Sequence, residues 1–534
     1  MRWCGLPDRA GAPRRLILLA SGIVLSACVL AWARGSDWTG EIAGFLAVYG
    51  AAFVAYVVAL EGARGLGRRG LFFCLVLGAA WRAVLACAPP LLSDDVYRSV
   101  WEGRIQHHGG NPFAWQDRPE SERWTALRDE VWRGVNHKGY SAIYPPLWQA
   151  SMWAVTALDD SVTAVKAFIA AADLLALWPL SVVLRSRGLP LDRLLVLAWS
   201  PLVLVEGAGS GHSEPFGVLF LATALALIET RRPLGAAMAL AAGAQVKFLP
   251  AFVLLAWCRR VRPWHVLAAA AASALLALPY AGAGSGLWMS LGKYAEHWRF
   301  NESLFAVLVA LAGSHSAAVA LAAAALGLTA FAMGIARLDP VAAALVTVVL
   351  ALALSPNLLP WYALWLLPLL ALRPQPAAML FTLTVALAYL VYPAWLSGQR
   401  WYLGWGWRAL EYLPCVALAL LGACRGRMRL TRGARQVPQT AASLRVLDLA
   451  SAAPRLDVSG DPSGGVGTAD PRDLVAQVTL ADVEAVADGA VARRFLSKRR
   501  FLPAWCWRLH SLWFSSGPPN ALRPSSAGTA RCPD

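Results

Sequence analysis

The chain has 534 residues, 58% of them hydrophobic and 15% charged, with a formal net charge of +16. Soluble chains average roughly 25% charged residues, so an ordinary soluble enzyme is excluded. The basic excess lies as Arg and Lys in short loops between apolar stretches, which argues against a nucleic-acid partner and for cytoplasmic loops of a membrane protein.

The apolar runs predict an all-α integral membrane protein of roughly twelve spans, because a helix satisfies its own backbone in lipid and needs about 20 apolar residues to cross. Arg2, Arg9, Arg14 and Arg15 place the N-terminus inside. No convincing cleavage site follows the first apolar run, which is therefore read as a span. Spans are expected at about 15–33, 41–60 and 71–90, with Arg64, Arg68 and Arg69 in the inner loop between the last two. A long outer segment, 93–142, follows. The apolar piece 147–158 is too short to span and is placed on the outer surface. Further spans are read at about 163–184, 194–208 and 213–229.

The segment 234–257 has Arg at both ends and Gln245, Lys247 and Pro250 within it. It is expected to be two half-membrane helices with a re-entrant turn near Lys247, since a lysine in lipid is costly without a purpose; a plain span that breaks the charge rule is the alternative. Spans at about 264–282, 316–336, 340–354, 360–373, 376–394 and 409–424 complete the bundle, which ends in Arg425, Arg427, Arg429, Arg432 and Arg435. Residues 1–435 thus form one polytopic domain. Residues 436–534, rich in Ser, Ala, Pro and Gly, read as a mostly disordered cytoplasmic tail. Within it, Lys498 to Phe514 mixes bases with aromatics and suits the inner leaflet or no role at all. The cysteines in apolar runs (Cys28, Cys74, Cys87, Cys415) lack CxxC spacing and read as small core residues.

The polar motifs fall on the outer face. Ser93 is positioned to cap a helix running to about His107, closed by Gly109-Gly110-Asn-Pro. Asp94 and Asp95 begin it, which suits the helix dipole. Two adjacent carboxylates in a partly dry site also push one pKa up, as a general base requires. Arg98 and Glu102 sit at pairing distance on this helix. Ser121 to Val131 repeats Trp124, Leu127 and Val131 on one face and predicts a surface-lying helix. His137, Lys138, His297 and Arg299 supply cations suited to phosphate. His212 and Glu214 lie in an outer turn, where helix capping is the plain reading. No motif of metal-ligand spacing occurs, so no metal or other cofactor is expected. Arg82 and Asp173 lie inside spans and must pair or line a cavity, with each other or with Lys247.

The run Ser93-Asp-Asp-Val-Tyr-Arg-Ser-Val-Trp-Glu-Gly-Arg104, with Asn111-Pro after it, resembles the first outer loop of bacterial GT-C glycosyltransferases that use polyprenyl-phosphate sugars. Tyr144-Pro-Pro, Gly209-Ser-Gly-His, Val246-Lys-Phe-Leu-Pro250, His297-Trp-Arg-Phe-Asn-Glu-Ser-Leu304 and Pro360-Trp-Tyr362 follow in the order of the polyprenol-phosphate-mannose-dependent relatives. The resemblance covers about 70–435. It departs at Leu359, where His is expected, and at Ser213, where Asn is expected. It implies transfer of a hexose, mannose by this likeness, from a polyprenyl-phosphate donor to a lipid or glycan acceptor. The reaction would occur on the periplasmic face of a bacterial inner membrane. Asp94 or Asp95 would act as base in an inverting displacement. Arg98, His137, Lys138, Tyr144, His212, Glu214, Lys247, His297, Arg299, Asn301, Trp361 and Tyr362 would bind substrate or phosphate. The competing readings are an O-antigen ligase or polymerase-like enzyme, which calls for a larger late outer loop, and a lipid-sugar transporter or flippase, which calls for internal repeats.

Overall fold

The computed structural model describes residues 11–35 and 37–435, with side chains to Cys424. Contacts divide the chain after Val416, and the packing and the site described below belong to the unit that ends there. Among the described residues the regular structure is helical, apart from a single bridge between Phe300 and Asn357. Among the described residues eight helices are long and apolar enough to cross a membrane: Ala12–Arg34, Ile42–Gly62, Arg68–Cys87, Val162–Ser186, Pro263–Ala283, His315–Ile335, Pro376–Leu396 and Trp405–Cys424. Each coincides with an expected span. Three shorter apolar helices, Pro233–Ala244, Pro340–Ala353 and Pro360–Leu372, also fall on expected apolar segments.

The expected span at 194–208 is a series of short turns instead: Leu191–Leu194, Leu195–Ala198, Pro201–Val203 and a π-helical turn, Leu204–Gly209. Pro201 removes a donor, and the carbonyls left free need partners. Arg82, from the helix Arg68–Cys87, donates to the carbonyls of Ala198 at 2.8 Å and Gly78 at 2.9 Å. The same guanidinium meets Asp173 at 2.5 Å. The two intramembrane charges therefore pair with each other, and the arginine also caps broken backbone.

The helix Glu214–Glu229 is about 23 Å long at 1.5 Å per residue and marks two ends of the molecule. At its C-terminal end Arg187 binds Glu229 at 2.5 Å and Asp339 at 2.6 Å. At its N-terminal end Glu214 pairs with Lys247. The segment 234–257 breaks at residues 245–248 into Pro233–Ala244 and Leu249–Ala256. Its far end returns toward Arg187 and Asp339, because Trp257 donates to the carbonyl of Pro340 and Arg260 to that of Leu338.

Residues 121–134 form a short 3₁₀ turn, Glu122–Leu127, and a short helix, Glu130–Gly134, rather than one helix. Asp129 separates them by accepting from the amide of Trp132 at 3.1 Å. Trp124 is buried with Trp101 and Ile105, with Leu127 and Val131 packed beside them. This apolar face thus covers the helix Asp95–His107 instead of lying on lipid. The tail expected at 436–534, including Lys498 to Phe514, lies outside the described residues.

Candidate active site

The apolar helix Arg68–Cys87 ends before Pro89 and Pro90, which cannot continue it. The extended linker is tied down by its own carbonyls. Lys166 donates to Ala88 at 2.6 Å, and Tyr392 donates to Leu92. The chain then enters the helix Asp95–His107, the outer-loop helix expected from the sequence. The Ser93 hydroxyl accepts from the amide of Asp95 at 3.3 Å. Gly109, at φ +72, closes the helix in a conformation that disfavours side chains.

Asp94 and Asp95 thus stand at the lip of a cavity of about 1170 Å³. The side-chain amide of Asn136 donates to both, at 2.7 Å to Asp94 and 2.6 Å to Asp95. Surrounding protein strips water from Asp94, and the neighbouring Asp95 charge adds to this, so its carboxyl lies above the usual range. His137 is pushed the other way, chiefly by burial and then by the Arg98 charge.

Arg98 is not a free cation. Its five donors reach Glu102, the side-chain and backbone oxygens of Asn136, and the carbonyls of His137 and Tyr140, at 2.5–3.3 Å. The expected pairing with Glu102 is present at 3.3 Å. Lys138 also turns to backbone, donating to Val135 at 2.6 Å and Arg133 at 3.1 Å.

Behind the acidic pair lies the turn 209–213. Gly211, at φ +83, would bring a Cβ to 2.8 Å from Val96, so glycine allows the turn to lie against the Asp95 helix. His212 is buried and stacks on Trp361 with ring centroids 3.7 Å apart. Its two nitrogens face Asp95 at 3.8 Å and Glu206 at 3.4 Å. Tyr389 donates to both oxygens of Glu206, at 2.8 and 2.9 Å. Lys247 pairs with Glu214 and stands 4.1 Å above the ring of Tyr362 and 5.6 Å above that of Tyr144.

The opposing rim comes from 294–301 and 357–362. The Phe300–Asn357 bridge joins these strips. Asn357 donates to the Tyr294 hydroxyl at 2.6 Å, which lies 3.0 Å from the Tyr362 hydroxyl. His297 and Arg299 line the cavity, and Arg299 pairs with Glu302 at 2.5 Å. Asn301 points away from it. Fully buried, it donates to both oxygens of Glu411 at 3.0 Å.

Of the residues singled out from sequence, Asp94, Asp95, Arg98, His137, Tyr144, His297, Arg299, Trp361 and Tyr362 line one cavity. His212 and Lys247 contact residues of that lining from behind, and Glu214 is joined to it through Lys247. Lys138 and Asn301 are engaged elsewhere. The sequence reading gave no role to Glu206, Tyr294, Tyr389 and Tyr392, nor to Asn136 and Asn357, which it placed only within outer-face polar motifs. Glu206 carried a usable signal, a carboxylate inside an apolar run. Asn136 did not, since its partners lie about 40 residues away. Among the described residues no group of three or more His, Cys, Asp or Glu side chains is arranged to hold a metal ion.

Residues 15–261 match the family described as alpha-(1->6)-mannopyranosyltransferase, N-terminal domain. This stretch of the chain is similar to the N-terminal domain of those mannosyltransferases. The match agrees with the GT-C resemblance and takes in both aspartates, the His212 turn and Lys247, while the rim at 294–301 and 357–362 lies beyond it. No curated protein and no solved structure matches the chain. A membrane glycosyltransferase that moves mannosyl groups between a sugar donor and an acceptor is the coarse assignment these findings carry.

Proposed function

We propose that the cavity transfers mannose from a polyprenyl-phosphate donor to a hydroxyl of a lipid or glycan acceptor, on the non-cytoplasmic face of a bacterial inner membrane. The observation that carries this reading is the convergence of Asp94 and Asp95 on one amide in a large cavity, within the stretch similar to a mannosyltransferase domain.

The acceptor oxygen attacks the anomeric carbon as its proton passes to Asp94 or Asp95. The bond from that carbon to the phosphate oxygen breaks, and polyprenyl phosphate leaves with the electron pair. One displacement inverts the anomeric centre, so an α-linked product calls for a β-linked donor. Elevation of the Asp94 carboxyl suits a base working near neutral pH. His297 and Arg299, on the cavity wall, are placed to offset charge on the departing phosphate. Lys247, paired with Glu214, sets its Nζ 4.1 Å from the ring centre of Tyr362. The rings of Trp298, Trp361, Tyr362 and Tyr392 give the pyranose broad faces to pack on.

Opposite ends of the helix Glu214–Glu229 support a one-sided site. Arg187 lies at one end, as arginines of cytoplasmic loops do, and the acidic pair lies near the other. The test is glycosyl transfer by the purified full-length protein in detergent, from radiolabelled polyprenyl-phosphate mannose to extracted membrane lipids. Labelled product without any transmembrane gradient is expected, and a transporter would yield none.

A further inference from the structure

The two carboxylates of the site are joined by a single side chain beyond them. Asp94 and Asp95 are neighbours in sequence, yet their carboxyl groups need a common donor to lie together, because two like charges repel. Asn136 supplies both bonds from one nitrogen, at 2.7 and 2.6 Å. Its oxygen accepts from the Arg98 side chain at 3.3 Å, and its backbone carbonyl accepts from the same guanidinium at 2.5 Å. This fixes the orientation of the amide, since a flip would set oxygen against two carboxylates and NH₂ against a guanidinium. Arg98 is in turn held by buried Glu102, which also accepts from Gln149 at 2.7 Å. With all five donors engaged by protein, Arg98 has a framework role.

We propose that Asn136 is the positioning residue of the reaction, holding Asp94 and Asp95 in register for proton transfer, and that Glu102 and Arg98 hold Asn136. This rests on the mannosyl-transfer reading above. As one carboxylate takes the acceptor proton, the amide keeps its bond to the other, which stays ionised. The titratable and charged groups facing the pair are Tyr97, Arg98 and Glu102 on the same helix, His137, Lys138 and Tyr144 on the segment that follows, and His212, Glu214, Tyr294 and Tyr392 from the other elements.

The experiment is steady-state transfer by the purified full-length protein, across pH, for wild type, Asn136→Ala, Asn136→Asp and Arg98→Lys. Asn136→Ala should lower kcat by about 10²-fold with little change in the donor KM. Its acid limb should move to higher pH, because a hydrogen bond to the charged form is lost. Asn136→Asp has the same shape and replaces the donor by a third carboxylate, so its acid limb should move further up. Arg98→Lys keeps the charge but not the fork, and should shift in the same direction as Asn136→Ala. If Asn136→Ala fails to fold, the isosteric Asn136→Asp decides. A wild-type rate and pH profile in Asn136→Asp overturns the proposal, as does a slower rate with an unmoved profile, which marks a merely structural residue. An inactive wild type fails the mannosyl-transfer reading itself, a different result.

Discussion

Asp94 carries the sharpest chemical expectation. Its carboxyl lies above the ordinary value in the folded chain because of water exclusion and the charge of Asp95. The folded state therefore holds the proton more tightly than the unfolded chain, whose Asp titrates near 3.9. Between the two values unfolding releases a proton, so this group's contribution to stability falls as pH rises through the window. At neutral pH the ionised side chain is a cost to the fold. Asp94→Asn should melt at the same temperature as wild type or higher, in a detergent thermal-shift assay, while losing turnover. A marked fall in melting temperature would assign Asp94 a structural role. The acidic pair was legible because Ser-Asp-Asp follows directly on an apolar run. The amide that joins the pair was not, since only the folded loop 135–140 brings Asn136 to it.

At the scale of elements, length and apolar continuity decided what could be read. The long apolar helices match the expected spans because each satisfies its backbone internally. The stretch 191–213 does not, because its broken backbone is satisfied by a distant arginine that no local pattern reveals. That dependence is testable. Arg82→Leu leaves Asp173 without its cation and the Ala198 carbonyl without its donor. Breaking one side of a buried pair costs about 3–5 kcal/mol, so the variant should lose thermal stability far more than the double change Arg82→Leu with Asp173→Leu. Equal losses would remove the pairing argument. A second contact sets how the acidic helix sits on the helix Pro146–Leu158. A Cβ at Gly103 would meet the Met152 carbonyl at 2.6 Å and the Thr156 hydroxyl at 2.7 Å. Gly103→Ala should cost about 1–3 kcal/mol by overpacking, read as a lower melting temperature, and an unchanged melting temperature would contradict that close fit.

Across the unit that ends at Val416, Arg187 with its two carboxylate partners lies at one end of the helix Glu214–Glu229 and the acidic cavity near the other. Charge bias in the loops was readable one residue at a time, and so was the likeness to mannosyltransferases. What joins residues near 94, 136, 212, 247, 297 and 361 around one volume is non-local packing, invisible in sequence spacing. Cysteine-accessibility labelling in intact membranes should report positions 94 and 297 on the same, non-cytoplasmic face, with position 187 on the other. The measurement that bears most directly on the account is transfer of radiolabelled mannose from polyprenyl phosphate by the purified protein, compared with Asp94→Asn and Asp95→Asn. Wild type should form product, and at least one variant should lose about 10²–10⁴-fold in turnover while remaining folded. Near-normal turnover in both variants would contradict the account.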